Sequence, residues 1–204
     1  MTEPIEKQIV RKIKKAKRGT LFFADDFSGI GNTKTINKCL ERLVNSGVLY
    51  RVARGIFIRP KVDKIVGLII PGVDEIAVSI AKRDRARILP TGSFALYKLG
   101  LTTQLPLNIV YYTDASARKI RIGNFTITFK KTSAKNLSRI GNISKLVIQA
   151  IKDIGNGKVT KEETEKIIEL LRNEKPSHLE HDLRLAPKWI KELIEGRMKN
   201  SVNE

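Results

Sequence analysis

Residues 31–60, GNTKTINKCLERLVNSGVLYRVARGIFIRP, constrain the fold of this chain more than any other stretch. Between residues 36 and 44, apolar side chains recur at three- and four-residue spacing, which is the period of an amphipathic helix. Asn32 or Thr33 is the expected N-cap of this helix. The segments VLYRVA and IFIRP then flank Arg54-Gly55, a pattern typical of two strands joined by a tight turn. We therefore expect a helix followed directly by a β-hairpin.

The preceding residues supply the elements that accompany such a unit. Ile5, Ile9 and Ile13 recur at four-residue spacing among lysines and arginines, which predicts an amphipathic first helix. The segment TLFF is typical of a short strand, and residues 24–27 are expected to form one helical turn. Helix, strand, short helix, turn, second helix and two-stranded wing is the order of a winged helix-turn-helix. We assign this domain to residues 1–61.

The charge of the chain points to a polyanionic partner. The chain has 39 Lys and Arg against 21 Asp and Glu, a formal net charge of +18. Residues 1–61 alone hold 14 basic and 5 acidic residues. Such a field attracts nucleic acid, anionic lipid or an acidic protein.

The predicted wing and second helix favour double-stranded DNA as that partner. A helix whose outward face carries long cations and Asn can enter the major groove, while a neighbouring hairpin reaches phosphates. Helix-hairpin units also serve as protein-interaction modules, so a basic face that meets an acidic protein is an alternative. The residues predicted to contact DNA are Thr33, Lys34, Asn37, Lys38, Arg42, Arg51, Arg54 and Arg59.

Residues 62–204 predict a mixed α/β domain that is helical from about residue 134 onward, so the fold class is α+β. RPKVDK is expected to be a connector, and Asp74 and Thr91 are expected to cap the two helices that follow. RKIRIGNFTITFKK predicts a β-hairpin, because its alternating halves meet at Gly123-Asn124. Additional phosphate contacts are predicted from a second basic set: Arg83, Arg85, Arg87, Arg118, Lys119 and Arg121.

Enzymatic chemistry finds little support in the residues. The Gly92-Ser93 turn before a helix resembles the opening of nucleotidyltransferase sites, which hold a triphosphate through backbone N–H groups. Such sites need two or three carboxylates for Mg²⁺, whereas the segment LNIVYYTD that follows has only Asp114. A nucleotide-using enzyme at this turn is the alternative function.

We expect no catalytic constellation, no cofactor and no metal site. His178 and His181 are interpreted as surface residues, and Cys39 as a buried hydrophobe.

Targeting segments are not expected. The longest apolar run is too short to span a bilayer. The acidic start of the chain lacks the pattern of a secretory signal. We therefore expect a cytoplasmic protein without a membrane partner.

Two segments resemble a known family. RVARGIFIRP, after the basic helix, resembles the N-terminal domain of AbiEi-like antitoxins of type IV toxin–antitoxin systems, which act in phage defence. RILPTGSFALYKLGLTTQLPLNIVYYTDASARKIRIGNFTITFKK is similar to the domain that follows it in that family. Together the similar segments cover about residues 7–131.

This resemblance implies a bacterial cytoplasmic transcriptional autorepressor that binds inverted repeats in its own promoter and could self-associate cooperatively on DNA. Its partner in function would be a nucleotidyltransferase toxin encoded beside it, generally opposed without a stable complex. Residues 62–204 would then be the antitoxin-like effector domain. The residues that match the family's recognition helix and wing are Lys34, Asn37, Lys38, Arg51, Arg54 and Arg59.

Overall fold

The computed structural model, which describes residues 3–200, contains two units. The N-terminal unit holds the residues up to Ile80 together with Arg121–Gly123, and the C-terminal unit holds Ala81–Ile120 and the residues from Asn124 onward. The domain boundary that we predict after residue 61 stays a prediction. Within residues 3–200, no helix combines the length and the apolar composition that crossing a membrane requires.

The N-terminal unit begins with the predicted order of elements. These are α1 (Ile5–Lys15), β1 (Leu21–Phe23), a 3-10 turn (Ala24–Phe27), α2 (Thr33–Asn45), β2 (Tyr50–Ala53) and β3 (Ile56–Ile58). Strand β3 lies between β1 and β2 and pairs antiparallel with both. Helix α2 begins where its sequence predicts, because the Asn32 side chain accepts a hydrogen bond from Thr35 N at 2.9 Å.

The core of this part forms from the apolar stripes of α1 and α2 closing on the small sheet. Because each stripe recurs every three or four residues, one side of each helix is buried and the other carries the charges. The Phe22 and Phe27 rings stack with centroids 5.8 Å apart beneath the two helices. The buried core residues are Ile9, Ile13, Phe22, Phe27, Ile36, Cys39, Leu40, Leu43, Leu49 and Phe57.

A second hairpin follows, so the expectation of a connector at RPKVDK is wrong. Strands β4 (Lys61–Asp63) and β5 (Gly67–Ile69) pair antiparallel. Asp63 forms their turn by accepting hydrogen bonds from the two backbone N–H groups at the tip, at 2.8 and 3.1 Å. Helix α3 (Val73–Arg83) comes next; Ile76 and Ile80 are buried, whereas Val78, about 200° around the helix from both, is 52% exposed.

The C-terminal unit contains a four-stranded mixed sheet. The elements are β6 (Ile88–Pro90), α4 (Ser93–Lys98), β7 (Asn108–Thr113), β8 (Arg118–Ile122) and β9 (Phe125–Lys131), with strand order β6-β7-β9-β8. The last two residues of β8 belong to the N-terminal unit. Strands β7 and β9 run parallel, with Tyr111 opposite Phe129. The Tyr111 ring stacks on Phe129 at 5.9 Å and meets the edge of Phe94 at 5.7 Å. The predicted hairpin is confirmed.

The rest of this unit is helical, as predicted. It contains a 3-10 turn (Ala134–Leu137), α5 (Ser144–Ile154), α6 (Lys161–Leu171), α7 (Pro176–Arg184) and α8 (Lys188–Asn200). The stripes of these helices share one core: Val147, Ile148, Ile151, Ile167, Ile168, Leu171, Leu179, Leu183, Ile190 and Ile194. The predicted α+β fold class is confirmed.

Candidate nucleic-acid interface

The outward face of α2 carries the residues predicted to read DNA. The core stripe fixes the rotation of the helix, so Lys34, Asn37 and Lys38 project into solvent, as does Thr33 at its first turn. Among residues 3–200, neither an ion pair nor a side-chain hydrogen bond engages Lys34, Asn37 or Lys38. Their charges and polar atoms are therefore available to a ligand.

The wing adds arginines beside this face. Gly55 has φ +73°, which lets β2 and β3 turn directly at the exposed Arg54. Within the described chain, Arg54 has no charged or hydrogen-bonding partner. Arg51, opposite Phe57 in the hairpin, holds its guanidinium carbon 5.5 Å from the centre of that ring. Its Nη2 also lies 3.5 Å from Glu41 Oε1, which joins the wing to α2.

Arg42, also on α2, has partners in α1 and in α2 itself. Its Nη2 lies 2.6 Å from Glu6 Oε2 of α1 and 3.3 Å from the Sγ of buried Cys39. The hydrogen bond to Cys39 and the nearby Glu6 carboxylate raise the pKa of Arg42 above its ordinary value. Arg42 therefore stays cationic and also links the two helices.

Arg59 has a different surrounding from the other predicted contacts. It is half-buried, and its Nη1 donates to the backbone carbonyls of Lys14, at 2.9 Å, and of Ala16. These carbonyls lie at the end of α1, where no further turn supplies N–H donors. Arg59 thus anchors the end of the wing strand to α1, and its predicted DNA contact stays a prediction.

Three of the six members of the second basic set, Arg83, Arg87 and Arg118, contact carboxylates inside the C-terminal unit. Arg83 Nε donates to Asp84 Oδ1 at 2.8 Å, and Arg118 Nη2 donates to the other oxygen of Asp84. Burial acts to raise the pKa of Asp84, but the hydrogen bonds from these two arginines hold it below its ordinary value.

Arg87 is held in a similar way by Asp114. Its Nε and its backbone N–H donate to the two carboxylate oxygens at 2.9 and 2.8 Å. These hydrogen bonds, the side-chain one first, lower the pKa of Asp114. Asp114, the single acid expected after β7, is therefore an arginine partner in this structure.

The remaining members of the second set are exposed. The side chains of Arg85 and Lys119 have no ion-pair or hydrogen-bond partner within residues 3–200, whereas Arg121 Nε donates to the Gly123 carbonyl at 3.3 Å. Arg85 has φ +52°, an uncommon conformation for a residue with a side chain. The phosphate contacts predicted for all six stay predictions.

The Gly92-Ser93 turn differs from its predicted form. Thr91 is not a helix cap: Gly92, at φ +62°, precedes α4, and Thr91 Oγ1 lies 3.4 Å from Gln149 Oε1 instead. In the described part of the chain, no group of three or more His, Cys, Asp or Glu is arranged to hold a metal ion.

A buried polar network in the C-terminal unit was missed by sequence reasoning. Asp182 is completely buried and accepts hydrogen bonds from Ile140 N at 2.8 Å, Gly141 N at 3.1 Å and Ser144 Oγ at 2.6 Å. Glu174, 8% exposed, accepts from the backbone N–H groups of residues 143 and 144 at 2.6 and 3.1 Å. We call Glu174, Asp182 and the segment 140–144 that they hold the carboxylate clasp.

The carboxylate clasp also changes the interpretation of the two histidines. His181 Nδ1 lies 3.0 Å from Asp182 Oδ1, and His178 Nδ1 lies 3.8 Å from Glu174 Oε1. Both rings are half-buried against these carboxylates, so describing them as surface residues is incomplete. Burial acts to raise the pKa of Glu174, but backbone N–H donors outweigh it and the pKa lies below its ordinary value.

Comparison with known proteins gives a family but no described activity. A search of the curated proteins finds no match. The family model described as "Family of unknown function (DUF6088)" matches residues 8–179, an interval that runs from α1 into α7. It therefore includes the outward face of α2, the wing, the mixed sheet and most of the carboxylate clasp. The chain belongs to the DUF6088 family.

Proposed function

We propose that this protein is a sequence-specific, DNA-binding transcriptional autorepressor and the antitoxin of a type IV toxin–antitoxin system. The observation that carries the DNA-binding part is the outward face of α2, where Lys34, Asn37 and Lys38 are exposed and, within residues 3–200, unpaired, as is Arg54 of the wing. Unpaired cations on a helix narrow enough for the major groove release counterions from DNA when they bind, without first giving up a protein partner.

The residue types on α2 fit direct reading of bases. Asn can bond the N6 and N7 atoms of adenine, and Lys can donate to the O6 and N7 atoms of guanine. Arg54, at the tip of the wing, suits phosphate or the minor groove. We expect α2 to supply sequence preference and the wing to supply affinity and orientation.

The test is binding of the purified chain to the DNA upstream of its own gene, compared with a random duplex of equal length. We expect the upstream duplex to bind at least about a thousandfold more tightly than the random one. Affinity for both should fall steeply with salt, with a slope of log affinity against log salt of about −0.9 per phosphate contacted. Equal affinity for the two duplexes would contradict the operator reading.

A separate result would favour the interaction-module alternative. If the chain captures an acidic protein from cell extract, if that complex survives nuclease treatment, and if DNA affinity is weak, then the basic face serves a protein partner. A DNA-bound repressor would instead lose its co-purifying material to nuclease.

The antitoxin part of the proposal rests on the resemblance to AbiEi-like antitoxins, and DUF6088 membership neither adds to it nor removes it. We place antitoxicity in the residues that follow the wing.

The test of the antitoxin proposal is co-expression with a nucleotidyltransferase encoded beside this gene. That enzyme should arrest growth by itself, and this chain should restore growth. A chain altered at Lys34 and Lys38 should still restore it, since those positions serve DNA. Failure of the intact chain to restore growth would overturn this part alone.

A further inference from the structure

One acidic residue lies in the middle of the face proposed to read DNA. Lys34, Lys38, Glu41 and Asn45 follow each other at i, i+4, i+7 and i+11, which aligns them along one side of α2. All four are exposed, and the Glu41 side chain is 63% exposed. A carboxylate at this place opposes the general attraction to phosphate that the neighbouring lysines provide.

The contacts of Glu41 in the free protein do not account for its position. Its ion-pair partner is Arg51 Nη2 at 3.5 Å, and the side chains of Glu41 and Arg51 are 63% and 45% exposed. Exposed pairs of this length contribute little to folding, because water and salt screen them. Arg51 also lies against the face of Phe57, so its position in the wing does not depend on Glu41 alone.

A carboxylate in the major groove can form hydrogen bonds with only two of the four bases. It can only accept hydrogen bonds, and the donors there are the N4 amino group of cytosine and the N6 amino group of adenine. Against guanine it meets the O6 and N7 acceptors, and against thymine it meets O4 and a methyl group. Adenine also presents its N7 acceptor beside the amino group, so cytosine suits a carboxylate best.

From this placement we propose that Glu41 is a specificity-determining residue, which accepts a hydrogen bond from a cytosine amino group and rejects other bases at that position. The inference rests on the proposed DNA-binding function. When α2 enters the groove, Arg51 exchanges Glu41 for a phosphate, and the released carboxylate faces the base edges. Lys34 and Lys38 supply the attraction that carries it there.

The test is selection from a random duplex library with the full chain and with Glu41→Gln. Glutamine has almost the same shape but no charge, and it pairs with adenine through N6 and N7. We expect the selected motif to change at one base pair, from cytosine toward adenine. Preference for the wild-type motif over random DNA should fall at least about tenfold, while affinity for random DNA rises. Glu169→Gln, an exposed glutamate of α6, is the matched control and should select the wild-type motif.

Arg51→Gln separates a base contact from an indirect effect. If Glu41 touches a base, this variant weakens binding to all duplexes and leaves the cytosine position unchanged. If it alters the same base pair as Glu41→Gln does, Glu41 acts by positioning the wing, and the proposed contact is wrong. An unchanged motif in Glu41→Gln, with wild-type selection intact, also overturns it and leaves the DNA-binding function standing. If the wild-type chain selects no motif, both proposals fall.

Discussion

The basic residues on the outward face of α2, unpaired within residues 3–200, contrast with a set of paired arginines in the C-terminal unit. In the N-terminal unit, Lys34, Lys38 and Arg54 are exposed and have no ion-pair or hydrogen-bond partner among the described residues. In the C-terminal unit, Arg87 and Arg118 are held by carboxylates of the same unit. A net charge of +18 does not reveal this difference, because pairing decides which cations can meet a polyanion.

The two units also differ in how many polar side chains their interiors contain. The helix-and-sheet core of the N-terminal unit is built from apolar side chains and one cysteine. In contrast, every buried polar or charged residue among residues 3–200 lies in the C-terminal unit, with Asp182 fully enclosed. The N-terminal unit therefore depends on apolar packing and keeps its polar groups outside. The C-terminal unit also depends on buried hydrogen bonds, which are costly to break.

The largest expected effect is on the stability of the C-terminal unit. Asp182→Ala removes the acceptor for Ile140 N, Gly141 N and Ser144 Oγ. The free energy of unfolding should fall by about 3 kcal/mol, because buried donors are left without partners. Trp189, the single tryptophan, lies in this unit and reports its unfolding in urea.

Two further variants sharpen that result. Glu180→Ala, an exposed carboxylate on the same helix, should change the free energy of unfolding by less than about 0.5 kcal/mol. Asp182→Asn should destabilise less than Asp182→Ala, since one oxygen can still accept. A loss as small for Asp182→Ala as for Glu180→Ala would show that the carboxylate clasp contributes nothing.

The next largest effect concerns DNA. Lys34→Ala with Lys38→Ala removes two cations that have no side-chain partner in the described part of the chain. Affinity for duplex DNA should therefore fall by about tenfold or more at physiological salt. The slope of log affinity against log salt should become shallower by about 1.8. The matched control is Lys161→Ala with Lys166→Ala, which removes equal charge from two lysines that face glutamates on α6. If both pairs weaken binding equally, net charge and not the face of α2 governs affinity.

A smaller effect separates Arg59 from Arg54 of the wing. Arg59→Ala should lower the free energy of unfolding of the N-terminal unit by about 1–2 kcal/mol, because two carbonyls at the end of α1 lose their donor. Arg54→Ala should leave stability within about 0.5 kcal/mol of wild type and reduce only DNA affinity. Thermal unfolding followed by circular dichroism, with a parallel binding titration, measures both. A normal stability for Arg59→Ala would show that its hydrogen bonds to the carbonyls of α1 contribute little.

The smallest expected effect is the pH dependence that Glu174 gives to the stability of the C-terminal unit. The folded-state pKa of Glu174 lies below its ordinary value of 4.5, so the unfolded chain binds its proton at higher pH than the folded one. Its contribution to stability is therefore fully present above about pH 4.5 and is lost as the pH falls through the folded pKa. Unfolding measured by Trp189 fluorescence across this range should show the loss, and Glu174→Gln should flatten the curve. An identical curve for Glu174→Gln would place the acid sensitivity in other carboxylates.

Local patterns predicted the N-terminal elements well. The stripes of α1 and α2, the cap at Asn32 and the turn at Gly55 each depend on residues a few positions apart, so their period and residue type are visible in one chain. The hairpin of β4 and β5 was not predicted, because its turn is formed by the Asp63 side chain. Its sequence lacks the two-residue turn signal that usually marks a hairpin.

Partners distant in sequence were not predictable. Thr91 was expected to cap a helix, but it lies beside Gln149, 58 positions away. Asp182 holds backbone N–H groups 41 and 42 positions earlier. No spacing rule encodes such contacts, since they arise only when helices pack. For the same reason the exposed residues of α2 could be placed on one face from sequence, whereas the pairing of Arg59 and Arg87 could not.

The carboxylate clasp also limits which amino-acid substitutions can be accepted at Gly141 during evolution. A Cβ on Gly141 would overlap Ser144 Oγ and lie 2.6 Å from Glu174 Oε2. Even alanine, the smallest replacement, would displace Ser144 Oγ and Glu174 Oε2. A substitution of Gly141 therefore requires a compensating change at Ser144 or Glu174. A descendant that loses the glycine alone would inherit an intact winged helix attached to a weakened second half.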